Sequence, residues 1–240
     1  MGSRPNEWPD WERVLAAAAH LQRIFPDAVL VGGTAAALHA RHRFSRDADH
    51  VLEDLKRRFD SALKDLEAVS GWKTARVQRP VQILGSLDGI ETGVRQLIRE
   101  VPLETERIDT PYGPIRAYTL PEMLRIKAIL ILRRNATRDY IDFAALYRRM
   151  RKEDLGAAMR PFDALYPQPS GESALQQLQA QLANPLPYDL DEIDLSEYKH
   201  LAPEWQDWRR VRQACMEAAK DIFDLVPAEP GVDGQGQEPA

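Results

Sequence analysis

The chain has 240 residues, 44% of them hydrophobic and 29% charged, enough for one sizeable core or two small ones. No run of about 18 apolar residues could cross a bilayer as a helix, and the opening MGSRPNEWPDW lacks the basic-then-apolar pattern of a signal peptide. The single cysteine, Cys215, excludes an internal disulfide, so a cytoplasmic protein without membrane partners is expected.

Along the chain, residues 10–24 read as an Ala-rich amphipathic helix, 28–31 as a short buried strand ended by glycines, and 34–41 as a short helix. DADHVL (47–52) alternates as a strand, and 53–69 has the period of an amphipathic helix. Strand patterns follow at 72–78, 81–86, within 90–98, at 103–109 and at 115–119, the last two joined by the turn TPYGP. From Pro121 the period becomes helical: 121–135 with Thr119 as cap, then 136–151, 153–165, 171–183 and 204–225. Residues 185–203 form an acidic connector, and the Pro/Gly-rich 227–240 is expected to be disordered. The division is α+β: a mixed sheet with flanking helices over 1–120, an all-helical region over 121–226, and the tail. Net charge is −5; from Asp189 onward 13 acidic and 5 basic side chains give −8, which leaves the first 188 residues at +3. A mildly basic body is compatible with a polyanionic ligand.

The chemistry concentrates in VGGTAAALHARHRFSRDADHVL, residues 31–52. Strand residues two apart share a face, so Asp47 and Asp49 project together. Adjacent carboxylates repel unless a cation lies between them, and Mg²⁺ favours one or two carboxylates completed by substrate phosphates. Gly32 and Gly33 permit positive φ and close backbone approach, and Thr34 is expected to open a helix whose free N–H groups suit phosphate. In the helical half, Lys127 lies in the mostly apolar RIKAILIL, where a buried ammonium needs a partner. Phosphate would serve, and snorkelling to the surface is the alternative. Lys127 and Arg134 are seven apart on one helix face, and Arg138 and Asp142 form an i,i+4 pair. Tyr140 and Phe143 are expected in the core. His39 and His42 are expected at the surface, and His50 on the strand face opposite the aspartates.

This pattern resembles the nucleotidyltransferase superfamily of polymerase-β-like enzymes, marked by a Gly-Gly or Gly-Ser turn followed by Asp-x-Asp or Asp-x-Glu. The AbiEii/AbiGii toxin type is most similar, through Arg43 and Ser45 before the aspartates and through RIKAILILRRNATRDYIDFAAL, which carries Lys127, Arg133, Arg134, Arg138, Asp139 and Asp142. The resemblance covers roughly residues 28–147. It implies a nucleotidyltransferase-like fold and transfer of a nucleoside monophosphate from an NTP to a hydroxyl, with an RNA end such as the tRNA 3′ end as acceptor and an antitoxin protein as partner. It implies Asp47 and Asp49 as ligands for Mg²⁺, or Mn²⁺ in its place. It further implies Gly32, Gly33, Thr34, Ser45, Lys127, Arg134 and Arg138 as nucleotide-binding, with Asp47, Asp49 and Lys127 catalytic. Such enzymes add a third carboxylate from a later strand; Asp88 and Glu91 are available, and Gln96 could hold the place instead. With an amide there, the chain would be a nucleotide-binding regulatory or interaction module. An antibiotic-modifying nucleotidyltransferase is a third reading.

Overall fold

The computed structural model describes residues 9–226 other than 100 and 199. Helix α1 (Pro9–Ile24) buries Val14, Ala18 and Leu21. The two-residue strand β1 (Val29–Leu30) leads into α2 (Gly32–Ala40), and β2 (Asp47–Leu52) returns antiparallel to β1. After α3 (Phe59–Glu67) come β3 (Trp72–Gln78), β4 (Gln82–Leu87) and β5 (Ile90–Gln96), then the hairpin β6 (Thr105–Thr110) and β7 (Gly113–Tyr118). The strands form one sheet in the order β3-β4-β5-β2-β1-β7-β6, with β2–β5 and β1–β7 parallel and the other neighbours antiparallel.

The helical half begins at α4 (Leu120–Arg134), whose N-cap Thr119 accepts a bond from the Glu122 N–H, as its sequence suggests. It continues through α5 (Thr137–Arg149), α6 (Lys152–Met159), α7 (Phe162–Leu165), α8 (Ala174–Ala183) and α9 (Trp208–Leu225). One apolar cluster joins α1, β1, α2 and β7 to α4, α5, α8 and α9, so the core runs through residue 120 without a break. A second, around Leu21, Phe25, Leu52, Phe59, Leu66, Ile83 and Val94, seats α1 and α3 on one face of the sheet. Among the described residues no helix is long and apolar enough to cross a membrane. The expected disordered tail, 227–240, lies outside the described residues.

Four element boundaries differ from the sequence expectation, each for a local reason. Helix α2 starts at Gly32 rather than Thr34, because Val31 is still extended and Gly32 adopts φ +72°. Residues 53–58 form turns instead of the start of α3. Gln96 clamps them, accepting from the Lys56 N–H at 2.8 Å and donating to the Glu53 carbonyl at 2.7 Å. The helix expected at 153–165 breaks into α6 and α7 at Pro161, which lacks an N–H to donate. The last helix is preceded by a 3₁₀ turn, Pro203–Trp205, and starts after Asp207, whose side chain caps it.

Candidate active site

Strand β2 lies inside the sheet between β1 and β5, and its burial alternates strictly. Ala48, His50 and Leu52 face the core; Asp47, Asp49 and Val51 face the other side, where they are half-buried. The aspartates therefore project together, and His50 lies behind them. Burial pushes the Asp49 carboxyl up; Arg95 at 3.6 Å pulls against this, and the charges of Asp47 and Glu91 add to the rise. Burial pushes the His50 imidazole down to about 3, so it is neutral and structural.

The parallel register places Glu91 beside Asp47 and Gly93 beside Asp49. Glu91 is thus the exposed carboxylate on the same face as the pair. The other two candidates for that place are accounted for locally. Asp88 and Gly89, at φ +52° and +81°, make the two-residue turn of the β4–β5 hairpin. Gln96 shares the face of Leu52 and is committed to the turns at 53–58.

The glycine turn has two distinct geometries. Gly32 needs its positive φ, and the space where its Cβ would stand is open. Gly33 is crowded: a Cβ there would collide with the Arg43 guanidinium and lie 2.9 Å from Ser45 Oγ. Thr34 and Ser45, which the resemblance assigns to phosphate, are buried and commit their hydroxyls to Asp47. Thr34 donates to its carbonyl, and Ser45 to its Oδ1 at 2.5 Å. Both hydroxyls therefore fix the first aspartate in place.

Behind the turn lies a buried charge network between the chain's two halves. Asp142 of α5, fully buried, accepts from Arg43 at 2.6 and 3.0 Å, from Lys127 at 2.7 Å, and is bonded to His42 Nε2 at 2.7 Å. Burial alone would raise the Asp142 carboxyl, but Arg43, Lys127 and the His42 bond hold it well below the usual carboxylate range. His42 is pushed down by burial against the pull of Asp142. Asp139 is also buried, and neither of its carboxylate oxygens has a hydrogen-bond partner among the described residues; the nearest cation is Lys127 at 3.6 Å. Burial raises its carboxyl, Lys127 opposes this, and Asp142 adds to it.

Three expectations change here. His42 is buried in the network, and His39 is half-buried with Nε2 2.7 Å from the Tyr118 carbonyl oxygen, so neither is a free surface histidine. Lys127 neither snorkels nor stands alone, because Asp142 neutralises it. Asp142 takes Arg43, Lys127 and His42 as partners rather than the exposed Arg138 one turn earlier. Arg134 and Arg138 are exposed near the α4–α5 junction, close enough for their charges to act on Asp139. Tyr140 and Phe143 are fully buried, as expected. The Arg43–Asp142 bond, spanning 99 positions, was not visible in either motif read singly.

Among the described residues, no three His, Cys, Asp or Glu side chains are grouped to enclose a metal by themselves. Two half-buried carboxylates on one strand face, with a third alongside, suit instead a divalent ion completed by substrate oxygens.

Paired aspartates on an interior strand, a glycine turn opening the preceding helix and a charged helical half behind them define a nucleotidyltransferase-type site. The chain belongs to the family described as nucleotidyl transferase AbiEii toxin, type IV TA system, which matches residues 13–233. Curated relatives also match in part. Heme uptake protein MmpL11 of Mycobacterium tuberculosis (strain ATCC 25618 / H37Rv) is 28% identical over 238 residues, 90% of this chain and 23% of that protein. Mycolic acid-containing lipids exporter MmpL11 of Mycolicibacterium smegmatis is 33% identical over 130 residues, 52% of this chain and 13% of that protein. The chain spans less than a quarter of the length of these relatives. Among solved structures, an antigenic nucleotidyltransferase-like protein from Paracoccidioides brasiliensis is similar at a TM-score of 0.47 and 16% identity, over 70% of this chain and 92% of that one. ANT(2")-Ia in complex with adenylyl-2"-tobramycin is similar at 0.48 and 12%, over 64% and 97%.

Proposed function

We propose that this chain is a divalent-metal-dependent nucleotidyltransferase. It would move a nucleoside monophosphate from an NTP to a hydroxyl, with an RNA end such as the tRNA 3′ end as acceptor, as the toxin of a pair with an antitoxin protein. The observation that carries the reading is the placing of Asp47 and Asp49 on one face of β2 with Glu91 of β5 beside Asp47 on that same face. Asp47 and Asp49 would hold Mg²⁺, or Mn²⁺ in its place. Bound there, the ion would supply Lewis-acid stabilisation of the triphosphate and acidify the acceptor hydroxyl. Glu91 is the exposed carboxylate nearest the pair and the best-placed base for the acceptor's proton. The open front of Gly32, at the N-terminus of α2, offers backbone N–H groups to phosphate. Thr34 and Ser45 set the position of Asp47. Arg134 and Arg138 are free at the surface to meet a polyphosphate, whereas Lys127 acts through Asp142 by holding α4 and α5 against the glycine turn.

Glu91 beside Asp47 favours transfer over a purely binding module, because the amide Gln96 does not occupy that place. Metal dependence has a direct test in thermal melts with and without Mg²⁺. Mg²⁺ should raise the Tm of the parent protein and leave that of Asp49→Asn unchanged. Equal shifts in both would remove Asp49 from the metal site.

A further inference from the structure

The strand register defines what lies next to the aspartates on the open face of the sheet. Two rows run outward from β2 across β5 and β4 to the edge strand β3: Asp47, Glu91, Ser86, Lys73, and Asp49, Gly93, Leu84, Arg76. Helices α1 and α3 cover the opposite face. On the open face, Glu91, Lys73 and Arg76 are exposed, and Ser86 and Leu84 are half-exposed.

The charges on this surface are segregated. Acids occupy β2 and the near end of β5, and the unpaired cations Lys73 and Arg76 occupy β3; between them, at the far end of β5, Arg95 lies 3.6 Å from Asp49 with 43% of its side chain exposed. No ion pair or side-chain hydrogen bond engages Lys73 or Arg76 among the described residues, in contrast to Arg79 just beyond, which pairs with Asp60. The middle of the second row is flat. Gly93 has no side chain, and a Cβ there would collide with the Ile83 carbonyl and lie 2.8 Å from Leu84 Cδ2. The Leu84 side chain therefore leans over Gly93 and makes a low apolar floor beside Asp49. Three strand steps of about 4.8 Å separate the Asp49 row position from Arg76, roughly 14 Å.

We propose that this face of β5, β4 and β3 is the docking track for the acceptor, a single-stranded nucleic-acid 3′ end. Its terminal hydroxyl would lie at the Asp47–Asp49–Glu91 end, and its phosphodiesters would run toward Arg95, Arg76 and Lys73. Charge complementarity selects the occupant. A small neutral or cationic acceptor gains nothing from Lys73 and Arg76, three strands away from the carboxylates. A chain of phosphates meets them in sequence, and its sugar edges lie over the low Gly93–Leu84 floor. The inference rests on the transfer reading above, but its test does not require turnover.

The test measures binding of a 5′-labelled 12-nucleotide single-stranded RNA by anisotropy, with Mg²⁺ and without NTP. It compares the parent, Lys73→Glu/Arg76→Glu, the milder Lys73→Ala/Arg76→Ala, and a control reversal at the exposed Arg212 on α9. The double reversal should weaken binding at least tenfold, and the double alanine should make the salt dependence shallower by about 1.4 in log–log slope, about 0.7 for each lost phosphate contact. Arg212→Glu should bind as the parent does, and calorimetric NTP affinity should be unchanged in all four. RNA binding that is absent in the parent, unaltered by the double variants, or equally weakened by Arg212→Glu overturns the track. Failure of the parent to transfer label from any NTP, with this RNA result intact, would instead overturn the transfer reading alone.

Discussion

At Asp142 and Asp49 the same side-chain chemistry has opposite consequences, because the neighbours differ. Asp142 is buried among Arg43, Lys127 and His42 and held strongly ionised; Asp49 faces Asp47 and Glu91 with Arg95 only at 3.6 Å. Asp142→Ala should leave two buried cations without their counter-charge, a loss of about 3–5 kcal/mol in urea unfolding. Lys127→Met should also destabilise, since Asp139 then loses its nearest cation. An unchanged midpoint for either variant would mean that the network is solvated in solution. Asp49→Asn should keep or raise the Tm at pH 7, because a folded-state carboxyl raised above its ordinary value is disfavoured in its charged form. The Asp142 contribution has the reverse sign. Its folded value is depressed, so its stabilisation is present above the ordinary carboxylate value and is lost only as pH falls below it.

At the scale of elements, β2 and the turn before it carry both chemistry and constraint. His50, behind the aspartates, titrates near 3 when folded and about 6.5 when unfolded, so the unfolded chain takes up a proton first as pH falls. Stability should decline from about pH 6.5 downward, by about 2 kcal/mol at pH 5, and His50→Leu should flatten that slope. An unaltered pH profile in the variant would place the effect in other groups, His42 foremost. Gly33→Ala should force the Arg43 guanidinium off Asp142, lowering stability and activity together, whereas Gly32→Ala is opposed by its φ alone. Activity retained in Gly33→Ala would show that the turn tolerates a displaced Arg43.

Across the whole molecule, what the sequence made legible was what is periodic or local. The alternation of DADHVL put Asp47 and Asp49 on one face, and the hairpin at TPYGP, the Thr119 cap and the core positions Tyr140 and Phe143 all followed from near neighbours. Strand order and register are set by contacts between distant segments, so neither the position of Glu91 rather than Gln96 beside Asp47 nor the Arg43–Asp142 bond could be read from spacing. Arg43 and Asp142 were both visible within motifs; that one neutralises the other is a property of the folded chain. Their union ties the segment after α2 to α5, and the apolar core also runs across residue 120, so a polar and an apolar contact both join the two halves.

The most direct measurement is label transfer. The parent protein and Asp49→Asn are incubated with Mg²⁺, each α-³²P-NTP in turn, and a total tRNA pool, and the RNA is resolved on a denaturing gel. Label should reach RNA with the parent and at least one NTP, be abolished by EDTA and fall at least 100-fold in Asp49→Asn, in line with losing a group that stabilises the transition state. Equal labelling by Asp49→Asn would contradict the role given to the paired aspartates. NTP bound by the parent, with no label reaching RNA or any other hydroxyl acceptor, would contradict transfer itself.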